Sequence, residues 1–182
     1  MKKFLLLIPV MIFPYFFLFA ACCMFNNFLE ENLFGGSVIY NIFYIAVLFV
    51  AALICSIITI IICSVKKVES EKILQINLIV KLIHIPAYIA IFIFGILCLI
   101  TIFTMGFSLA FVVFDLLTII LSGLVGLTGI IRSRKENKLP KRSAILLGIL
   151  QFVFCADVIC AIIAYVTVKN SNKIKNYMAD HL

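Results

Sequence analysis

The sequence contains little charge. Asp, Glu, Lys and Arg make up 13% of its 182 residues, whereas hydrophobic residues make up 65%. Soluble domains carry about 25% charged residues, so a water-soluble core cannot account for this composition. Apolar runs of about 18 or more residues are typical of helices that cross the ~30 Å hydrocarbon layer of a bilayer. The composition therefore predicts an all-α integral membrane protein.

The motifs of several enzyme classes are also missing. The sequence has no Gly-rich phosphate loop, no HExxH and no GxSxG, and its two histidines cannot build a convincing metal site. The seven cysteines form no CxxC pair and are interpreted as small apolar residues, with adjacent Cys22 and Cys23 the only candidates for a reactive pair. These absences argue against an enzyme. They predict no cofactor and leave the identity of any metal open.

Apolar segments predict a bundle of five transmembrane helices in a single domain. The predicted spans are residues 4–22, 38–65, 85–103, 107–131 and 144–168. The first span also fits a secretory signal, whose cleavage would leave four helices, but we favour the uncleaved reading. Between the second and third spans, apolar residues at helical spacing lie opposite Asn77 and Lys81. Residues 66–84 therefore predict a short interfacial helix, or equally an extension of the third span.

The basic residues indicate an orientation. All fifteen lysines and arginines are assigned to loops and tails, and none to a span. Five crossings place 12 of them on one side, with the N-terminus and the loops at 66–84 and 132–143, and three on the other side with the C-terminal tail. The positive-inside rule makes the first side cytoplasmic and the tail external, in a multi-pass cell-membrane protein. The net charge of +7 is dispersed among loops, so we expect contact with the lipid bilayer and no nucleic acid.

Two acids stand out because they are predicted inside spans. Asp115 lies in the fourth span and Asp157 in the fifth, where an ionised carboxylate is costly and usually faces a cavity, a partner or a transported ion. Without a cation assigned to any span, the pair is expected to be protonated, to share a proton, or to bind a mobile cation. Small residues predict close contact between the two spans, with Thr118 and Ser122 beside the carboxylates. The alternatives are hydrogen-bonding between helices alone, or a ligand or partner site.

Three segments carry a resemblance to a known group of proteins. They are Lys-Leu-Ile-His-Ile-Pro-Ala-Tyr (81–88), Leu-Ser-Gly-Leu-Val-Gly-Leu (121–127) and Gln-Phe-Val-Phe-Cys-Ala-Asp (151–157). The half of the chain from Lys81 to Tyr165 resembles an uncharacterised family of small membrane proteins of Gram-positive bacteria. That resemblance implies a location in the cytoplasmic membrane and no established activity.

Two hypotheses follow for the function. The first is a small transport-related protein, in which Asp115, Asp157, Thr118 and Ser122 form an intramembrane site for a cation or proton. The second is a non-catalytic interaction, immunity or assembly protein, whose aspartates are structural and whose partner is another membrane protein or a further copy of the chain. A membrane enzyme ranks third, because no nucleophile or metal constellation is present.

Overall fold

A computed structural model describes residues 2–100, 102 and 104–180, with side chains over 5–100, 102, 104–174 and 177. Over these residues the chain is helical, with turns and no strand. A 3-10 turn at Lys2–Leu7 leads into seven helices. They are α1 (Ile8–Met24), α2 (Asn27–Phe34), α3 (Val38–Val65), α4 (Ser70–Leu99), α5 (Met105–Lys135), α6 (Lys141–Leu150) and α7 (Ala156–Asp180).

Four helical segments of the described chain are long and apolar enough to cross a membrane. They are Leu5–Met24, Val38–Val65, Ser70–Leu99 and Met105–Lys135. Backbone groups have no water to bond with in hydrocarbon, and a helix satisfies them internally. The all-helical class is thus confirmed for the described residues, as is the presence of helices long and apolar enough to span a membrane.

The segment predicted as an interfacial helix belongs to a longer one. α4 is continuous from Ser70 to Leu99, so residues 70–84 extend the third span and form no separate surface helix. Pro86 lies inside α4 and lacks the N–H that would continue the helical ladder. The carbonyl of Leu82 loses its helical partner in this way, and the hydroxyl of Tyr15 in α1 donates to the adjacent Ile83 carbonyl at 2.6 Å. The predicted end of this span, near Phe103, lies outside the described residues.

Residues 144–168, predicted as the fifth span, do not form one helix. The chain ends α6 at Leu150, bends through residues 151–155 and starts α7 at Ala156. The ten residues of α6 rise about 15 Å, half of the ~30 Å hydrocarbon layer. Cys155 closes the bend with a left-handed φ of 62°. The five-helix bundle is therefore not confirmed, because the last apolar segment is divided between α6 and the first part of α7.

The second of these helices returns along α4. Asp157, at the start of α7, contacts Lys81 in the interior of α4, and Asn172, four turns later, bonds to Glu69 and Glu71 at the start of α4. α7 thus runs antiparallel to the first half of α4. Its far end lies beside the basic loops, whereas five crossings predicted a tail on the opposite side. The bend at 151–155 reverses the chain and accounts for this difference.

Close approach between helices depends on two glycines of α5. The most extensive contact between two elements is that of α4 with α5. A Cβ at Gly129 would lie 2.8 Å from Leu74 Cδ2, and one at Gly126 would lie 2.6 Å from Asn77 Nδ2. Both distances are shorter than real Cβ contacts, so a side chain at either position would displace the side chain of Leu74 or Asn77.

Candidate functional site

A buried ion pair joins α4 to α7. Lys81 Nζ lies 2.7 Å from Asp157 Oδ2, and both side chains are 0% exposed. Lys81 follows the start of α4 by eleven positions, or roughly 16 Å of helix. Lys81 was predicted to lie in a loop, but it lies inside Ser70–Leu99, a helix that is long and apolar enough to cross a membrane. Asp157 has the fixed counter-ion that the sequence argument did not give it.

Polar groups from three segments surround the ammonium of Lys81. Its Nζ lies 3.5 Å from both Ser122 Oγ in α5 and the Gln151 carbonyl oxygen in the bend. The amide of Gln151 is buried as well, and its Oε1 accepts from Asn77 Nδ2 at 3.4 Å. Gly126 leaves the space that these two amides occupy. Gln151 therefore links the bend to α4 twice, through its side chain to Asn77 and through its backbone carbonyl to Lys81.

Lys81 and Asp157 neutralise each other, and a further carboxylate adds negative charge to this buried polar cluster. Asp115, half-buried on α5, is a second carboxylate whose charge interacts with that of Asp157. One buried oxygen on each aspartate, Oδ1, has no hydrogen-bond partner among the described residues. With all three groups ionised, Lys81, Asp115 and Asp157 together carry one excess negative charge. A site of this kind could accept one proton or one monovalent cation.

The four residues predicted for the site are partly brought together. Asp157 and Ser122 both contact Lys81, and Asp115 lies close enough to interact electrostatically with Asp157. Thr118 is buried, but its hydroxyl donates to the Phe114 carbonyl of its own helix. The expected close contact of α7 with α5 is secondary, because α7 packs mainly against α4. The cluster is thus centred on α4 rather than on the carboxylate pair.

His84 extends the buried polar face of α4 by one turn beyond Lys81. Its Nε2 lies 3.0 Å from the Val10 carbonyl oxygen in α1, and the side chain is 0% exposed. Since a carbonyl only accepts, Nε2 carries the proton in this bond. The ring meets Tyr88 edge-on, with centroids 5.7 Å apart. His84 therefore connects the cluster to α1.

A second charged cluster lies at the end of the helices. Glu136, just after α5, bonds to Lys138 at 2.6 Å and to Arg132 at 3.0 Å. It also accepts from the hydroxyl of Ser70 at 2.6 Å, and from the Ser70 N–H at the start of α4. Burial raises the pKa of the Glu136 carboxyl, but the hydrogen bonds from Lys138 and Ser70 together hold that pKa below its ordinary value. The cluster ties the end of α5 to the start of α4.

Sequence reasoning missed Lys81 and Gln151. The signal for Lys81 was present, since Asn77, Lys81 and His84 share one helix face and two in-span acids lacked a cation. Because that face was assigned to the membrane surface, Lys81 was not considered as a partner of these acids. Gln151 had a weaker signal, a lone amide in an apolar run, and no glycine or proline marks the bend that follows.

Neither a set of metal ligands among the described residues nor a known relative indicates the function of this site. Within the described part of the chain, no three His, Cys, Asp or Glu side chains come together as metal ligands. Comparison with protein-family models, curated proteins and solved structures found no match to this chain. The buried cluster is therefore the feature of this chain that indicates a function.

Proposed function

We propose that this chain is a small, transport-related membrane protein whose buried cluster binds and releases a proton or a monovalent cation. The observation that carries the proposal is the buried ion pair of Lys81 and Asp157 within apolar helices, together with a second carboxylate, Asp115, whose charge interacts with that of Asp157. Intramembrane ionisable residues are expensive and commonly mark ion or proton pathways. One bound proton or cation would cancel the excess charge of the three groups.

The ion pair couples occupancy of the cluster to the position of α6 and α7. A proton on Asp157 would cancel its attraction to Lys81, and Lys81 is also bound to the backbone of Gln151 in the bend. Loss of the pair would therefore loosen the bend from α4. In this mechanism Asp115 holds the excess negative charge that attracts the incoming cation.

The proposed topology has four crossings followed by a re-entrant hairpin of α6, the bend and α7. The apolar part of α7, residues 156–168, is about 20 Å long, too short to cross alone. Four crossings bring the N-terminus, the loops at 66–69 and 136–140 and the C-terminal tail to one side. All lysines and arginines except Lys81 then lie on that side, which the positive-inside rule makes cytoplasmic.

A fluorescent reporter at the C-terminus tests this topology. A green fluorescent protein fused after Leu182 folds in the cytoplasm and is expected to fluoresce. An alkaline phosphatase fusion at the same position is active only outside, so it is expected to be inactive. An active phosphatase fusion and a non-fluorescent green fluorescent protein fusion would place the C-terminus outside and support five crossings instead.

Flux measurements test the transport proposal. Purified protein in proteoliposomes is expected to dissipate an imposed pH or potassium gradient, and Asp115→Asn is expected to abolish this flux while folding is retained. Glu31→Gln is the matched control, because Glu31 is an exposed acid of α2 outside the cluster. Absence of flux in the parent protein, or unchanged flux in Asp115→Asn, would refute the proposal.

One observation favours the second candidate, an interaction or assembly protein. Lys81 and Asp157 are both fully enclosed, as expected of a pair that fixes a fold. The double variant Lys81→Met/Asp157→Leu separates the candidates. A structural pair predicts that this variant folds and still co-purifies with a fixed partner of the parent protein, whereas the transport proposal predicts that it folds and loses flux.

A further inference from the structure

An open groove of about 670 Å³ lies between α5 and α6, apart from the buried cluster. Its walls are apolar and include Leu127, Ile145 and Ile149. Its basic end is formed by Arg134 and Lys135, from the last turn of α5, and Lys141, from the first turn of α6. The groove therefore combines a long apolar surface with positive charge at one end.

The three cations at the basic end are available to an external anion. Arg134, Lys135 and Lys141 are exposed, and none takes part in an ion pair with another described residue. By contrast, nearby Arg132 and Lys138 are both neutralised by Glu136. The three cations of the groove therefore have no acidic partner among the described residues.

The start of α6 adds a further site for an anion. α6 begins at Lys141 after Pro140, and no side chain caps its first turn. The free N–H groups and the positive dipole end of a helix favour a negatively charged group such as a phosphate. The backbone and the side chains thus place positive potential at the same end of the groove.

We propose that this groove binds an anionic phospholipid, with the phosphate of the headgroup at the basic end and an acyl chain along α6. The length of α6, about 15 Å, matches one leaflet of a ~30 Å hydrocarbon layer. Basic pockets between transmembrane helices on the cytoplasmic side suit anionic headgroups. A zwitterionic lipid carries its own ammonium and gains less from the three cations.

Lipid binding to the purified chain tests the headgroup part of the proposal. Delipidated protein in neutral detergent is titrated with phosphatidylglycerol, phosphatidylcholine of the same acyl chains, or inorganic phosphate, and bound molecules are counted by native mass spectrometry. Phosphatidylglycerol is expected to bind most tightly and phosphate alone to show no comparable binding. Neutralising Arg134 or Lys141 to glutamine is expected to weaken phosphatidylglycerol binding about five-fold each. Arg142→Gln, an exposed neighbour outside the groove, is the matched control and is expected to leave binding unchanged.

A bulky side chain in the groove tests the acyl-chain part. Ile145→Trp fills the groove, whereas Leu146→Trp places the same bulk on an equally exposed position outside it. Only Ile145→Trp is expected to reduce phosphatidylglycerol binding, with the helical circular dichroism of both variants unchanged. Equal binding of the two lipids, equal loss in Arg142→Gln, or equal loss in Leu146→Trp would overturn the proposal. So would a dimer that Ile145→Trp converts to a monomer, because the groove would then be an interface between copies.

Discussion

The two charged clusters of this protein show the same chemistry in two environments. Lys81 and Asp157 form one contact with no exposure, deep in the helical bundle. Glu136 forms several contacts at the bundle end, where its side chain is 18% exposed and has two cationic partners. Loss of Lys81 or Asp157 leaves the other charge buried without a partner. At Glu136, water or a second cation compensates for the loss of one partner. The number of ion pairs and hydrogen bonds in a cluster therefore does not indicate how much stability it contributes.

Removing one member of the buried pair is expected to produce the largest effect. Lys81→Met leaves Asp157 enclosed without its cation, and uncompensated buried charges of this kind cost about 3–5 kcal/mol. SDS-induced unfolding in mixed micelles, followed by circular dichroism, measures the loss. A change below about 1 kcal/mol would show that Asp157 is readily neutralised or hydrated.

Removing both members should recover most of that loss. Lys81→Met/Asp157→Leu exchanges two desolvated charges for apolar packing, a replacement that is commonly neutral or stabilising by about 1–4 kcal/mol. The same unfolding titration is expected to place the double variant at or above the parent protein. If the double variant is no more stable than Lys81→Met, the polar contacts around Lys81 outweigh the charge itself.

A methyl group beside the polar cluster is expected to have an intermediate effect. A Cβ at residue 126 would lie 2.5 Å from Gln151 Oε1 within a closed interior, so Gly126→Ala should cost about 1–3 kcal/mol through overpacking. Gly106→Ala is the matched control, because no atom lies within 4 Å of a Cβ there. This control is expected to leave stability unchanged or to raise it by about 0.5 kcal/mol. Similar values for the two variants would contradict the close contact at Gly126.

The Glu136 cluster is expected to give the smallest effect and a dependence on pH. Glu136→Gln should cost no more than about 1 kcal/mol at neutral pH, as expected of a partly exposed cluster. Because folding lowers the pKa of Glu136 from its ordinary 4.5, its contribution is fully present above about pH 4.5. That contribution is lost as the pH falls through the folded-state pKa, so the parent and variant should converge in acid. Thermal unfolding from pH 3 to pH 7 measures the difference, with Glu31→Gln as the control. A difference that grows in acid would reverse the assigned direction.

Much of the fold could be predicted from hydropathy, because an apolar helix satisfies its own backbone wherever it lies. α3, for example, has the limits expected for the second span, Val38–Val65. Hydropathy could not predict that the last apolar segment forms α6, a bend and the first part of α7. The bend after Leu150 has no local breaker, and it coincides with contacts of Gln151 and Asp157 to a helix some 70 residues earlier in the chain. The two aspartates were found by their unusual position in apolar runs, and Ser122 by its spacing of seven from Asp115. Lys81 was missed because its polar helix face was assigned to the membrane surface.

The sequence separation of Lys81 and Asp157 also orders events during synthesis. The two residues are 76 positions apart, so Asp157 is made well after Lys81. At about 5–20 residues per second, Lys81 leaves the ribosome roughly 4–15 s before its counter-ion. α4 is therefore made with an unmatched ammonium, and its contacts with the bend and α7 form only after residues 151–157 have followed. A chain released before residue 157 would lack that ion pair permanently and would keep an uncompensated ammonium among its helices.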